Sequence, residues 1–224
     1  MDEMTQIWQW GFQVGDYTFT FNVETLIMTW IVMAVLILFA IAATRKISVL
    51  PHGYQSISEM LVAGFDNLVK DALDIPNYRN YFPIICGMMM FLLLCNWIGV
   101  IPYMSEPTKD LNTPLGLGIL GFLMAHYSGI KAKGIKTYLK GYCDPIIFFA
   151  PLNVIGELAK VVSISFRLFG NIMGGAIIVL VVSHLLYYLV LPPFLYFFFG
   201  LFVGTIQAFV FTMLTLVYIS VQIK

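Results

Sequence analysis

Long apolar runs separated by short polar segments dominate the chain, and they predict helices that cross a membrane. The predicted spans cover residues 23–44, 82–103, 113–130, 145–189 and 194–222. The last two are divided by Pro192 and Pro193 and form a hairpin, as do the second and third. Apolar runs of about 18 residues or more are typical of helices, because barrel strands are shorter and alternate. The pattern therefore predicts an all-α polytopic membrane protein, with residues 1–224 as a single membrane domain.

A different pattern occupies residues 54–74, where apolar residues recur every three or four positions. The stripe includes Ile57, Met60, Leu61 and Phe65, and the opposite face carries Glu59, Asp66, Lys70 and Asp71. Such a segment predicts an amphipathic helix that lies on the membrane surface and does not cross it. Its polar face is expected to contact either water or a neighbouring protein.

The fourth predicted span is too long to stand upright in a bilayer. Its 45 residues would form a continuous helix of about 67 Å, whereas the hydrocarbon core is about 30 Å thick. We therefore expect either a break, near Gly156 or the Gly174–Gly175 pair, or a steep tilt. A steeply tilted helix would lean against a large neighbour in the membrane.

Composition agrees with a membrane protein, because 60% of the residues are hydrophobic and only 11% are charged. The formal net charge is zero, so nothing favours nucleic acid as a partner. The three cysteines and three histidines lack metal-ligand spacing, and there is no phosphate-binding loop. We expect neither a metal nor a cofactor.

The distribution of basic residues predicts the orientation. If the N-terminus lies outside, nine of the twelve Lys and Arg residues fall inside, which satisfies the positive-inside rule. The first 22 residues contain three acids but no Lys or Arg, unlike a cleavable leader, so we expect the mature chain to begin near Met1. These features favour the plasma membrane of a bacterium, with an organelle membrane as the alternative, and a C-terminus in the cytoplasm.

Apart from Glu24 at the start of the first span, the strong charges within the apolar spans are Glu157, Lys160 and Arg167. An arginine at the centre of a span costs roughly 2.5 to 3.5 kcal/mol even on the lenient scale, which indicates a functional role. Helical spacing places several small or polar residues within about 40° of Arg167, namely Asn153, Gly156, Lys160, Ser163, Asn171 and Gly174. The alternatives are a snorkelling side chain, above all for Lys160, or a packing stripe of small residues.

The last helix offers a partner for this face. Gln207 lies on a weakly polar stripe that also includes Gly204 and Tyr218. Two antiparallel helices are therefore expected to face each other across Arg167, Asn171 and Gln207. A purely structural interhelical hydrogen bond is the alternative for Gln207.

At these residues the chain resembles a known family. The stretch Ser163–Asn171, read SISFRLFGN, and the stretch Gln207–Phe211, read QAFVF, closely resemble two helices of the subunit a family of rotary ATP synthases. The stretches Asp110–Thr113 and Gly129–Lys131, and the order of the spans, are also similar to this family. The resemblance covers nearly the whole chain.

The resemblance implies an ion-translocating stator subunit, without a nucleotide site of its own, in the membrane sector of an F-type ATP synthase. Its partners would be a ring of small hairpin c subunits, the peripheral-stalk b subunits, the remainder of the complex and the lipid bilayer. Arg167 would face the ring carboxylate between two aqueous half-channels that carry protons or Na⁺. The residues expected to line the ion pathway are Asn153, Glu157, Lys160, Ser163, Asn171, His184, Gln207, Asp110 and Asn112.

The chain departs from the family pattern at two places. Ala176 stands where many relatives place a glutamate, and Asn153 stands where many have a carboxylate. We expect Glu157, one helical turn after Asn153, to line the inner half-channel instead. On the outer side His184 is a candidate proton relay, with a packing role as the alternative.

Two other classes of protein fit the composition. A secondary transporter or channel with an intramembrane arginine is the main alternative, although such folds usually repeat broken helices in two halves, and no internal repeat is found. A polytopic membrane enzyme is less favoured, because no metal or nucleotide motif is present.

Overall fold

The computed structural model describes residues 9–14, 17–45, 53–74, 78–101, 104–143, 150–185 and 191–223. Within these ranges five helices are long and apolar enough to cross a membrane, namely Val23–Thr44, Phe82–Val100, Asn112–Lys133, Ala150–Leu185 and Pro193–Ile223. The prediction of a polytopic helical membrane protein is therefore confirmed.

The helices are numbered in chain order. They are α1 (Val23–Thr44), α2 (Tyr54–Leu73), α3 (Phe82–Trp97), α4 (Asn112–Lys133), α5 (Ile135–Cys143), α6 (Ala150–Leu185), α7 (Leu191–Phe197) and α8 (Gly204–Ile223). Phe198–Val203 forms a π-helical segment, here called the π turn, which joins α7 to α8. The loop between α3 and α4 contains a short 3₁₀ helix at Pro107–Lys109.

A β-hairpin precedes the first span. Strands β1 (Gln9–Val14) and β2 (Tyr17–Asn22) are antiparallel, with Gln9 opposite Asn22 at the open end. No strand was predicted here. The sequence nevertheless carries the signal, because apolar and polar residues alternate through TFTFN at residues 18–22, and Gly15 and Asp16 separate the two runs.

Helix α8 is the centre of the bundle and packs against α2, α3, α4 and α6. Its buried residues are Gly204, Gln207, Ala208, Phe211, Thr212, Thr215, Leu216, Ile219 and Ser220. Small residues let α4 approach closely: a Cβ added at Gly121 would lie 2.8 Å from Cγ2 of Thr215. This close packing is typical of membrane helices, where no hydrophobic effect drives association.

Helix α6 runs without interruption through Gly156 and the Gly174–Gly175 pair, so the predicted break at either place is wrong. Exposed backbone groups have no hydrogen-bond partners in lipid, which favours an unbroken helix despite the glycines. The Gly175 site is also tightly packed, since an added Cβ would lie 2.8 Å from the ring of Phe199. At 36 residues the helix is about 54 Å long, well beyond the hydrocarbon core of about 30 Å.

Helix α2 packs against the bundle by residues that lie beside the predicted apolar stripe, which did not include Val69 or Leu73. Val69 and Leu73 are each 1% exposed, whereas Met60 near the other end is 72% exposed. The Ser220 hydroxyl on α8 donates a 3.0 Å hydrogen bond to the Ala72 carbonyl, which fixes α2 to the end of the bundle.

The third span was predicted to end at residue 130, but the basic segment that follows is helical and contains the end of α4 and the whole of α5. Gly134 separates the two helices with a φ of 78°, a conformation that glycine adopts without steric cost.

Candidate functional site

Arg167 lies on the open face of α6. Its side chain is exposed, and within the described part of the chain it forms no hydrogen bond or ion pair. Ser163 and Asn171, one turn before and one turn after it, are exposed on the same face, as the helical spacing predicted. The opposite face is buried against the bundle through Ile164 and Leu168. A guanidinium that is always charged thus projects from a membrane helix towards the outside of this chain.

Asn171 and Gln207 join α6 to α8 directly. Nδ2 of Asn171 donates a 2.7 Å hydrogen bond to Oε1 of Gln207. Gln207 is only 3% exposed, and its Nε2 is buried without a hydrogen-bond partner among the described residues. A buried amide donor left unpaired costs about 1 to 3 kcal/mol, so this site favours an acceptor beside Gln207. The two helices therefore meet at Asn171 and Gln207 as expected, whereas Arg167 lies on the open face and is not part of this contact.

A buried amide that the sequence analysis did not single out fixes the start of α8. Asn96 is fully buried in α3, and its Nδ2 donates a 2.8 Å hydrogen bond to the carbonyl of Gly204, where the π turn ends. Its Oδ1 accepts a 2.9 Å hydrogen bond from the hydroxyl of Thr108, in the loop between α3 and α4. Asn96 thus positions the turn of α8 that carries Gln207, three residues after Gly204. The signal was present, because Asn96 is a lone amide inside an apolar run.

Glu157 and Lys160 form an ion pair in α6, with Nζ of Lys160 2.7 Å from Oε1 of Glu157. The same ammonium lies 5.6 Å from the ring centroid of Tyr218 on α8, a distance that fits a cation–π contact. Both charged side chains are half-buried. The pair therefore places a carboxylate and an ammonium together at the contact between α6 and α8.

This ion pair lines a cavity at the basic end of the bundle. The cavity has a volume of about 440 Å³, and α5, α6 and α8 contribute polar groups to it, including Thr137, Tyr138, Asn153, Glu157, Lys160 and Gln222. A second, narrow void of about 20 Å³ is also lined by Glu157 and Lys160 and extends to Ile164 and Thr215. About 10 to 15 Å³ is enough for one water molecule. The polar cavity thus reaches the ion pair, and the narrow void continues from it into the buried contact between α4, α6 and α8, on the side of α6 away from Arg167.

Asp110 and Asn112 lie at the other end of the bundle, where they connect the N-terminal segment to α4. The Asp110 carboxylate accepts hydrogen bonds from Nδ2 of Asn22 at 2.6 Å and from the hydroxyl of Thr25 at 3.3 Å. It also accepts from the backbone N–H and the Nδ2 of Asn112, at 3.1 and 3.0 Å. All four side chains border a cavity of about 360 Å³. These contacts give Asp110 a structural role, and its place in an ion pathway stays a prediction.

His184 is exposed in the last turn of α6, 17 residues or roughly 25 Å along the helix from Arg167. The geometry brings no predicted pathway residue to it, so its relay role also stays a prediction. Across the described ranges, no three His, Cys, Asp or Glu side chains form a group that could hold a metal ion.

Comparison with known proteins agrees with these features. The family model described as ATP synthase A chain matches residues 26–220. The ATP synthase subunit a 1 of Pelobacter propionicus is 37% identical over 86% of this chain and 84% of its own length. The ATP synthase subunit a of Moorella thermoacetica is 37% identical over 88% and 89%, and the subunit a 2 of a Bradyrhizobium species is 32% identical over 95% and 92%. A matched family model and relatives of this identity over most of both chains establish membership: the chain belongs to the ATP synthase A chain family.

Proposed function

We propose that this chain is the ion-translocating stator subunit of an F-type ATP synthase and that Arg167 separates its two half-channels. The observation that carries the proposal is the exposed guanidinium on the polar face of α6, which has no anionic partner within the described residues. A charge of this kind in a membrane helix requires a partner, and a carboxylate on a ring of neighbouring subunits is the partner that the family implies.

Arg167 acts on that carboxylate through its charge. At about 4 Å and an effective dielectric constant near 20, the attraction is roughly 4 kcal/mol, equivalent to about three pKa units. The pKa of the carboxylate is lowered by this amount as it passes Arg167, so the site releases its ion there. Because arginine stays protonated, it does not pass the proton on.

The same charge prevents a direct leak between the two half-channels. A proton that crossed without turning the ring would dissipate roughly 2.3 kcal/mol per 100 mV of membrane potential. Arg167 repels a cation from the short route along α6, so each ion is carried round by the ring.

The cavity at the basic end is assigned to the inner half-channel. Its polar lining includes Asn153 and Glu157, which lie on the same helix as Arg167. Glu157 supplies the carboxylate that Asn153 lacks. Nζ of its neighbour Lys160 lies 2.7 Å from that carboxylate.

The outer half-channel is assigned to the opposite end, where the Asn171–Gln207 contact and the cavity beside Asp110 and Asn112 lie. Nε2 of Gln207 is buried there without a hydrogen-bond partner among the described residues, which suits a path lined by polar groups and water. His184 is the candidate relay at its entrance. With the basic residues inside, this assignment places the N-terminus outside and the C-terminus in the cytoplasm of a bacterial cell.

The length of α6 supports the proposed contact with a c-ring. A continuous helix of about 54 Å lies inclined in a bilayer of about 30 Å and follows the side of a wide neighbour. The exposed apolar faces of α1, with Trp30 at 73% and Leu38 at 65%, leave room for lipid or the peripheral-stalk b subunits. A secondary transporter, the alternative considered for this sequence, is not favoured by the family match.

Co-purification tests this proposal. The chain carrying an affinity tag is extracted from its native membrane in mild detergent, and the proteins that accompany it are identified by mass spectrometry. We expect a small, abundant hairpin protein in large excess over the chain, together with nucleotide-binding subunits. A transporter would be isolated without them, and that result would reject the assignment.

A further inference from the structure

Helix α5 is anchored to the bundle by one face and exposed on the others. Tyr138 is 7% exposed, and its hydroxyl donates a 3.0 Å hydrogen bond to Oε1 of Gln222 on α8. Ile135 and Leu139, one turn apart, are 60% and 61% exposed. Two large apolar side chains therefore project outward from a nine-residue helix at the end of a membrane bundle.

Lysines flank this apolar pair. Lys136 and Lys140 follow Ile135 and Leu139 by one residue each, which places them about 100° away around the helix. With Lys131 and Lys133 in the last turn of α4, they make four exposed lysines. Residues 131–143 contain no Asp or Glu, and none of the four lysines forms an ion pair within the described part of the chain. Helix α5 thus combines an exposed apolar edge with a cluster of lysines that form no ion pair among the described residues.

The position of α5 decides what this surface meets. It follows Gly134 directly after the membrane span α4, so it begins where that span leaves the hydrocarbon. Tyr127, in the last two turns of α4, is 65% exposed, and its ring lies 5.9 Å from Nζ of Lys131. An exposed tyrosine beside a lysine at a helix end is typical of the boundary between acyl chains and headgroups.

We propose that α5 and the last turn of α4 bind anionic phospholipids of the surrounding membrane. Ile135 and Leu139 enter the upper acyl region, and the four lysines contact the negative headgroups. Phosphatidylcholine supplies acyl chains for the apolar side chains, but its neutral headgroup does not balance the charge of the lysines. The proposal depends on the membrane location of the chain and not on its role in ion transport.

Helix α2 at the same end of the bundle provides the contrast. Its exposed side chains include Glu59 and Asp71 around the single Lys70, so an anionic headgroup is repelled there. The two amphipathic helices therefore differ in charge. A binding assay that resolves α5 from α2 distinguishes a specific lipid surface from general contact with the bilayer.

Photolabelling in the assembled complex tests the proposal. The purified complex is reconstituted into phosphatidylcholine vesicles that contain a small, equal fraction of a headgroup-photoactivatable lipid, either phosphatidylglycerol or phosphatidylcholine. After illumination, mass spectrometry measures labelling of residues 131–143 and of residues 54–74. We expect phosphatidylglycerol to label the α5 region much more strongly than phosphatidylcholine does, and α2 to show no such preference.

Variants show whether charge causes the preference. A lysine near an anionic surface contributes about 1 kcal/mol, so Lys136→Gln and Lys140→Gln should each lower the ratio of the two labels about fivefold. Lys136→Arg with Lys140→Arg should keep the ratio, and Lys70→Gln on α2 is the matched control that should leave it unchanged. Equal labelling by both lipids, or a ratio that survives both glutamine substitutions, would overturn the proposal. Labelling by neither lipid, with α5 crosslinked to another subunit, would also overturn it.

Discussion

Nδ2 of Asn171 lies 2.7 Å from Oε1 of Gln207, and this hydrogen bond joins α6 to α8 one helical turn beyond Arg167. Asn96 does not contact Gln207 but donates a buried hydrogen bond to Gly204, the first residue of α8, and so fixes the turn that carries Gln207. A polar contact between α6 and α8 thus lies next to the open face that carries Arg167, in an otherwise apolar bundle. Each part of this arrangement makes a separate prediction.

The Asn171–Gln207 bond predicts that the two residues act as a unit. We expect Asn171→Ala and Gln207→Ala each to slow ATP-driven proton pumping in inverted membrane vesicles. In membranes such a bond is worth about 0.6 kcal/mol on average, so the single effects should be modest. The double variant should be no slower than the slower single variant, because the same bond is already lost. Losses that simply multiply would show that the residues act independently.

We expect substitution of Asn96 to lower the stability of the complex, and to affect transport only through that loss of stability. Asn96→Leu removes both hydrogen bonds and leaves the Thr108 hydroxyl without an acceptor in the interior, at about 1 to 3 kcal/mol. We expect less assembled complex in the membrane and loss of pumping at a lower temperature. Asn67→Leu, at an exposed position on α2, is the control and should change neither. Equal thermal inactivation of both variants would contradict the anchoring role of Asn96.

The pair of Glu157 and Lys160 makes a prediction for the inner half-channel. Membranes stripped of the catalytic sector conduct protons passively through the remaining sector, and this flux can be measured after a pH jump. We expect Glu157→Gln to lower the flux several-fold, because the cavity loses its titratable carboxylate. Lys160→Gln should lower it less, since the carboxylate remains. An unchanged flux in Glu157→Gln would remove Glu157 from the pathway.

Close packing of α4 against α8 predicts a difference between two glycines of the same helix. A Cβ at Gly121 would lie 2.8 Å from Thr215, whereas a Cβ at Gly116 has nothing within 4 Å. Gly121→Ala should therefore force the helices apart and destabilise the complex by about 1 to 3 kcal/mol, a cost typical of overpacking. Gly116→Ala should be neutral. Thermal inactivation of the complex measures both, and similar midpoints would contradict the packing described for α4.

The elements predicted well were those defined by long runs and clear ends. The first span was expected at residues 23–44 because an apolar run stops at Arg45, and α1 covers the same residues. The facing of Asn171 and Gln207 followed from helical spacing and from the cost of an amide in lipid. Both predictions rest on the high cost of placing a charged or polar group in lipid, and a short stretch of sequence is enough to show where such groups lie.

The elements that were not predicted are either short or depend on contacts between residues that are distant in sequence. Helix α5 has only nine residues, directly follows Gly134 and contains Gly141, so its sequence was typical of a basic loop. The β-hairpin has weak local signals, and the continuity of α6 depends on backbone hydrogen bonding that overrides its glycines. The role of Asn96 was not predicted, because it depends on hydrogen bonds with Gly204 and Thr108, whose proximity the sequence does not show.

The most direct test of the central claim is proton-driven ATP synthesis by membrane vesicles that carry Arg167→Ala. Arg79→Ala is the matched control, because Arg79 is exposed and lies outside the predicted and described spans. With equal amounts of assembled complex, we expect no synthesis above background in Arg167→Ala and normal synthesis in Arg79→Ala. Near-normal synthesis by the Arg167→Ala vesicles would contradict the account.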